Sequence, residues 1–147
     1  MSLKITLSKE FTGAKLKKPV LDAFGDLNLL LGREFQQRIT AYIWAWPKET
    51  VRKKGKKAIG SPRDIVDQGG LRDSYTMDGR RGSTHYRHVW AMDYAAAVHN
   101  GAVINNGFGR GIRFTLTARP WTRVTMRELD LQTMWTSLVQ QKVAQLQ

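Results

Sequence analysis

The feature that most constrains this chain is a long apolar stripe in its first third. From Val20 to about Trp46, the residues Leu21, Phe24, Leu31, Phe35, Ile39, Tyr42, Ile43 and Trp46 recur at helical spacing. Arg33, Glu34, Gln37 and Arg38 lie mostly off that stripe. The spacing predicts one helix roughly 40 Å long, at about 1.5 Å per residue. Pro19 suits its first turn, where a missing N–H is no loss, and Pro47 ends it. Gly25 and Gly32 are weak points inside it. Trp44 lies off the stripe and reads as either a surface aromatic or an interface residue. A helix this long overhangs a small domain, which leaves part of its stripe available to a neighbouring subunit.

The remaining elements follow from shorter signals. Leu3, Ile5 and Leu7 alternate with Lys4, Thr6 and Ser8, a half-buried strand. Asp67 is placed as the N-cap of a short helix that Leu71 anchors on the core, with Gly69 and Gly70 supplying backbone freedom before it. Ser74 to Met77 is extended, and Asp78-Gly79 is a hairpin signal. The partner strand runs from His85 to Met92, with Tyr86, His88 and Trp90 on one face. Asp93 to His99 reads as a second short helix, capped by Asp93 and ended by Asn100-Gly101. Val103 to Arg113 is Gly- and Asn-rich and reads as a loop, followed by a short strand at Phe114-Thr115-Leu116. Pro120 opens a last helix whose stripe is Val124, Leu131, Trp135, Leu138 and Val139. Glu128 and Asp130 sit in its first half and Lys142 near its end, as the helix dipole prefers.

With 147 residues the chain fits one domain, 1–147, which buries about 68–70% of its unfolded surface and needs no covalent staple. A hydrophobic content of 41% against 24% charged excludes a disordered composition. The absence of cysteine removes disulfides, thiolate metal sites and cysteine nucleophiles. No apolar run approaches the roughly 18 residues of a membrane span, and the alternating N-terminus is unlike a secretion signal. The net charge of +12 predicts contact with a polyanion. Much of it lies in a basic loop, 48–62, where Arg52, Lys53, Lys54, Lys56 and Lys57 cluster. That loop reads either as a solvated, flexible connection or as a surface facing phosphate or a partner.

Reactive constellations are weak. Ser74, Asp73 and a histidine lack the Gly-x-Ser-x-Gly context of a hydrolase elbow. His85 and His88 point to opposite faces of a strand and make poor co-ligands. His99 closes a short helix, a structural position. Gly107-Phe108-Gly109-Arg110-Gly111 lacks the Gly-Lys-Ser/Thr ending of a phosphate loop. No catalytic residue, metal or cofactor is expected.

Three phrases in fixed order carry a further signal. They are Val66-Asp67-Gln68-Gly69-Gly70-Leu71-Arg72-Asp73-Ser74, then Tyr94-Ala95-Ala96-Ala97-Val98-His99-Asn100-Gly101, then Ala118-Arg119-Pro120-Trp121. With a long helix before them and a Pro-started helix after, the chain from about residue 20 onward resembles the tail-completion, or head–tail joining, proteins of tailed bacteriophages. Gln68 stands where threonine is commoner. The resemblance implies an α+β subunit, with a small antiparallel sheet flanked by a long N-terminal helix and a C-terminal helix and short helices between strands. It implies a non-enzymatic virion protein of the neck, made in the host cytoplasm and assembled as a hexameric ring. Such a ring terminates or completes the tail tube and joins it to the head connector. Its partners would be further copies of itself, the tail tube protein and a head-side connector or stopper. DNA would pass non-specifically through its lumen, and no membrane is involved. Asp67, Gly69, Leu71, Arg72, Ser74, Tyr94, Ala95, His99, Gly101, Arg119, Pro120 and Trp121 would frame the fold. The partner or lumen contacts would come from Arg52, Lys53, Lys54, Lys56 and Lys57, and from Asn105, Asn106, Phe108 and Arg110 in the Gly-rich loop 103–113. The alternative is a basic nucleic-acid-binding module acting through Arg52–Lys57.

Overall fold

A computed structural model describes residues 1–6, 17–44, 69–105 and 113–145. The fold is α+β. Strand β1 (Ser2–Thr6) precedes the long helix α1 (Lys17–Ile39), a 3₁₀ turn at Tyr42–Trp44, and the one-turn helix α2 (Gly70–Asp73). Strands β2 (Tyr75–Asp78) and β3 (His85–Trp90), helix α3 (Ala95–Asn100), strands β4 (Ala102–Asn105) and β5 (Arg113–Leu116), and helices α4 (Trp121–Glu128) and α5 (Leu131–Ala144) follow. The antiparallel three-stranded sheet has the order β1-β3-β2, and β4-β5 form a separate two-stranded sheet.

Strand β3 lies at the centre because its alternation is the sharpest. Tyr86, His88 and Trp90 are buried, while His85 and Arg87 are exposed. Their inward face meets α1, whose Leu27, Leu31, Phe35 and Ile39 join Leu71, Trp90, Ala95, Val98 and Trp121 in one core. Aromatic edges lock this core, with Phe35 6.0 Å and Trp121 5.5 Å from Trp90 between ring centroids. Helix α5 lies against α1 with no fully buried residue. It contributes Leu131, Met134, Trp135 and Leu138 as half-buried cover. Lys142 Nζ reaches Asp26 Oδ2 of α1 at 2.6 Å, and Arg38 of α1 pairs with Glu128 of α4. Such surface pairs are worth about 0–1 kcal/mol each, so the apolar contact holds the helices together.

The two α1 glycines have a packing role. A Cβ on Gly25 would lie 2.9 Å from the Tyr86 hydroxyl, and one on Gly32 would collide with the Tyr75 hydroxyl. Both sit where the sheet approaches α1 closest, so what looks like weakness in a helix is the space two tyrosines occupy.

Several sequence expectations need correction. The apolar stripe continues to Trp46, but α1 stops at Ile39. Thr40 Oγ1 donates to Gln37 O at 2.7 Å and Trp44 Nε1 to Arg38 O at 2.6 Å, drawing the last carbonyls into a turn. Trp44 is therefore a half-buried cap, while Tyr42 and Ile43 are 82% and 63% exposed. The single last helix is two, split at Leu129-Asp130, where Asp130 Oδ1 accepts from Thr133 N at 3.0 Å. The stretch 103–113 is not wholly a loop, since all of β4 but Ala102 and the first residue of β5 lie in it. The tight Asp78-Gly79 hairpin is a longer connection, 79–84, closed by Ser83 N donating to Arg80 O at 2.9 Å. Helix α3 starts after Tyr94 with no side-chain cap, so Asp93 does not serve.

Replacing Gly32 by alanine tests the close approach. Helix propensity alone would raise stability by about 1 kcal/mol, whereas displacing Tyr75 costs about 1–3 kcal/mol. Urea unfolding of Gly32→Ala is expected to show a net loss, and a gain would sink this account of the packing.

Candidate interaction site

The three sequence phrases meet. Leu71 of the first, Ala95 and Val98 of the second and Trp121 of the third are buried in the one core around Trp90. A Cβ on Gly70 would touch the Tyr94 hydroxyl at 3.3 Å, and one on Gly101 would meet Leu116 O at 3.0 Å and Ala118 N at 3.1 Å. Gly101 (φ 78°) and Gly69 (φ 86°) adopt positive φ, which side-chain-bearing residues avoid. Arg119 N donates to Val98 O at 3.0 Å, and the Arg119 guanidinium donates to Thr117 O at 3.1 Å. Burial lowers the Arg119 pKa from its ordinary value. Pro120 stands at the N-cap of α4, one residue before the first turn in which the sequence placed it. Gln36 of α1 donates to Arg72 O at 3.1 Å, tying the first phrase to the long helix.

Two buried histidines complete the frame in opposite tautomers. His88 Nε2 lies 3.2 Å from Asn28 Oδ1, while Asn28 Nδ2 donates to Phe24 O at 2.8 Å. The asparagine oxygen therefore accepts, His88 carries its proton on Nε2, and Nδ1 accepts from the Tyr75 hydroxyl at 2.8 Å. His99 reverses the roles. Asn100 Oδ1, which also accepts from Arg123, lies 2.9 Å from Nδ1, and Thr122 Oγ1 lies 2.7 Å from Nε2. Nδ1 thus donates and Nε2 accepts. The His99 ring also stands edge-on to Trp121 at 4.7 Å. Burial pushes the His88 pKa down to about 4. Burial also lowers that of His99, opposed by its bond to Asn100 and aided by Arg123.

Neither histidine bonds to Ser74 or Asp73. Ser74 Oγ donates to Leu71 O at 2.8 Å and Asp73 accepts from Arg72 at 2.7 Å, so both are occupied locally. Among the described residues no group of three or more His, Asp or Glu could hold a metal, and no helix is long and apolar enough to cross a membrane.

The surface holds what the sequence missed. Beside β2, a groove of about 400 Å³ is lined by Leu29, Gly32, Arg33, Gln36, Tyr75 and Met77 with Gln37. A second hollow, of about 210 Å³, shares Leu29 and Met77 and runs on past Gly25 to Arg81. Leu29 is 51% exposed there. Ala91 N donates to Ser74 O at 3.3 Å, so by strand alternation Thr76 and Asp78 turn their backbone groups to β3. Tyr75 and Met77 turn theirs to the side on which no strand pairs among the described residues. On the sheet's other face, a polar hollow of about 320 Å³ is lined by Lys4, Asp78, Arg80, Ser83, His85 and Arg87 with Gly79. Of the expected contact residues, Arg52, Lys53, Lys54, Lys56, Lys57, Asn106, Phe108 and Arg110 lie outside the described residues, as does the framing residue Asp67. Asn105 ends β4.

The depressed histidine pKa has a signed consequence. A base whose folded pKa lies below its unfolded value of 6.5 stabilises the fold fully above that pH and loses the contribution as pH falls toward about 4. The magnitude is on the order of 3 kcal/mol for His88. Urea midpoints are expected to fall steeply between those pH values. His88→Gln should flatten the slope, leaving the smaller share of His99. An unchanged slope in that variant would refute the assignment.

No protein-family model, no curated protein and no solved structure matches the chain, so the functional reading stands on its residues and their geometry.

Proposed function

We propose that this chain is a structural virion protein of a tailed-phage neck, a ring subunit that terminates or completes the tail tube and joins it to the head connector. Its partners in that role are further copies of itself, the tail tube protein and a head-side connector or stopper, with DNA passing through the lumen unread. The observation that carries the reading is strand β2, which among the described residues is an unpaired sheet edge beside an apolar groove, on a domain whose three phrases meet in one core. A ring built head to tail needs two different patches on one subunit. The β2 edge with Leu29 is one. The β4–β5 hairpin is a second, since among the described residues it pairs with no other strand and it exposes Val103 by 49%. Exposed edges are usually blunted in monomers, and strand addition to such an edge is a common mode of association. Tyr42 and Ile43 add a further exposed apolar pair where α1 ends.

Native mass measurement of the purified chain, alone and with tail tubes, tests this. The expected species is a multiple of the 16.8 kDa subunit, formed alone or on the tube. Leu29→Glu is expected to lower association at least tenfold with an unchanged melting temperature, because a half-exposed side chain contributes little to folding. A chain that stays monomeric with tail tubes present, whatever residue stands at position 29, removes the reading.

A further inference from the structure

The outer face of the three-stranded sheet carries an arrangement that no part of the folding account uses. Lys4 of β1 is directly opposite Arg87 of β3, and Asp78 of β2 is opposite the same Arg87. Trp90 N donates to Met1 O at 2.9 Å and Ala91 N to Ser74 O at 3.3 Å, which sets the alternation of backbone bonds on both sides of β3. Counting from these, Lys4–Arg87 is a non-hydrogen-bonded pair, with Cα atoms about 4.5 Å apart, and Asp78–Arg87 a hydrogen-bonded pair at about 5.5 Å. The nearer neighbour of Arg87 is therefore the like charge. Such a pair destabilises a sheet. The connection after β2 brings Arg80 to the same hollow. Its carbonyl is held by the Tyr86 hydroxyl at 3.0 Å and by Ser83 N at 2.9 Å, so the turn is anchored to the inner side of the sheet through Tyr86 while Arg80 still lines the hollow. Among the described residues none of Lys4, Arg80 and Arg87 forms an ion pair, whereas the adjacent Arg81 is engaged by Asp22 at 3.1 Å.

The geometry points to a binding site for the sugar-phosphate backbone of DNA in this hollow of about 320 Å³, with Lys4, Arg80 and Arg87 as the phosphate-contacting cations and Ser83 and His85 as polar neighbours. Three features select this ligand class. The lining contains no aliphatic or carbocyclic side chain, so nothing there grips an apolar peptide side chain. Two guanidinium forks match phosphate oxygens in pairs. The carboxylate of Asp78 disfavours a doubly charged free phosphate more than a singly charged phosphodiester. Charge complementarity to a chain of net +12 points the same way. The site belongs to the single subunit, so the inference does not depend on ring formation.

The test measures binding of a short mixed-sequence DNA duplex against salt concentration. The 147-residue chain would carry Lys53→Gln, Lys54→Gln, Lys56→Gln and Lys57→Gln so that the charge of that basic run does not mask the face. Each phosphate neutralised contributes a slope of about 0.9 in log affinity against log salt. Adding Lys4→Gln, Arg80→Gln and Arg87→Gln is expected to reduce the slope by about 2.7, roughly 40-fold less affinity loss between about 50 and 200 mM salt. A control with Arg33→Gln, Arg123→Gln and Arg127→Gln removes equal charge from the helices and is expected to keep most of the slope. The face variant should melt no lower than its parent, since the Lys4–Arg87 repulsion is gone. Should it unfold, Arg80→Gln alone, outside the strands, is expected to lower the slope by about one. An unchanged slope in the face variant, an equal loss in the control, or displacement of DNA by inorganic phosphate at matched ionic strength would each overturn the assignment.

Discussion

The fold depends on how close α1 comes to the sheet. Gly25, Asn28 and Gly32 share one face of the helix, and that face meets Tyr86, His88 and Tyr75. The glycines admit two tyrosine rings, and the asparagine between them meets the one histidine. A buried polar group left without a partner costs about 1–3 kcal/mol, so Asn28, His88 and Tyr75 must be placed together or not at all. This fixes register. Sliding β3 by one residue would turn His88 to solvent and bring Arg87 onto Phe35, a change no sheet of this size absorbs. The polar chain thus specifies the pairing, and the apolar contacts around it supply most of the stabilisation.

The same strand joins the two halves of the molecule. His88 faces α1, while Trp90, two residues on, meets Trp121 at the start of α4. Trp121 in turn holds the edge of His99. The second and third phrases are therefore built around one edge-to-face aromatic cluster, and the first is pinned beside it through Leu71 and the bond from Gln36 to Arg72 O. The histidines use opposite ring nitrogens as donors because an asparagine oxygen accepts from a different nitrogen in each. Both rings are satisfied as neutral bases, which is why burial depresses their pKa values without leaving an orphaned atom on either ring.

Much of this was legible in the residues. Alternation gave β1 and β3 their inward faces, and the helical stripe located α1 from its first turn to Ile39. It overran because Tyr42, Ile43 and Trp46 continue the period after the helix has ended, and periodicity carries no stop signal of its own. The break at Asp130 was also written in the chain. An aspartate three residues before Thr133 is a capping arrangement, but the same acid also fits the dipole preference of a continuous helix. Strand β4 was obscured by the asparagines and glycines that follow its start, whereas Phe114-Thr115-Leu116 reads as the strand that β5 is. The groove beside β2 and the cationic hollow were not legible for a different reason. Each is made by residues distant in sequence, Leu29 with Met77 and Lys4 with Arg87, and their meeting depends on strand order and register. Sequence drew attention instead to the densest run of charge, Arg52–Lys57, because local density is visible where non-local pairing is not.

The two surfaces differ in what they ask of the fold. The β2 edge offers backbone groups and a half-exposed leucine, so its use depends on a partner strand arriving in register. The outer sheet face offers charge at positions set by hydrogen-bonded strands. Cations held on strands lose little backbone freedom on meeting a phosphate, because that ordering has already been met by folding. The repulsion between Lys4 and Arg87 is tolerable in the free subunit because β3 is held on its other face by His88 and Trp90. An anion relieves it, so the stabilisation that burial supplies on the inner face permits the charge crowding on the outer one.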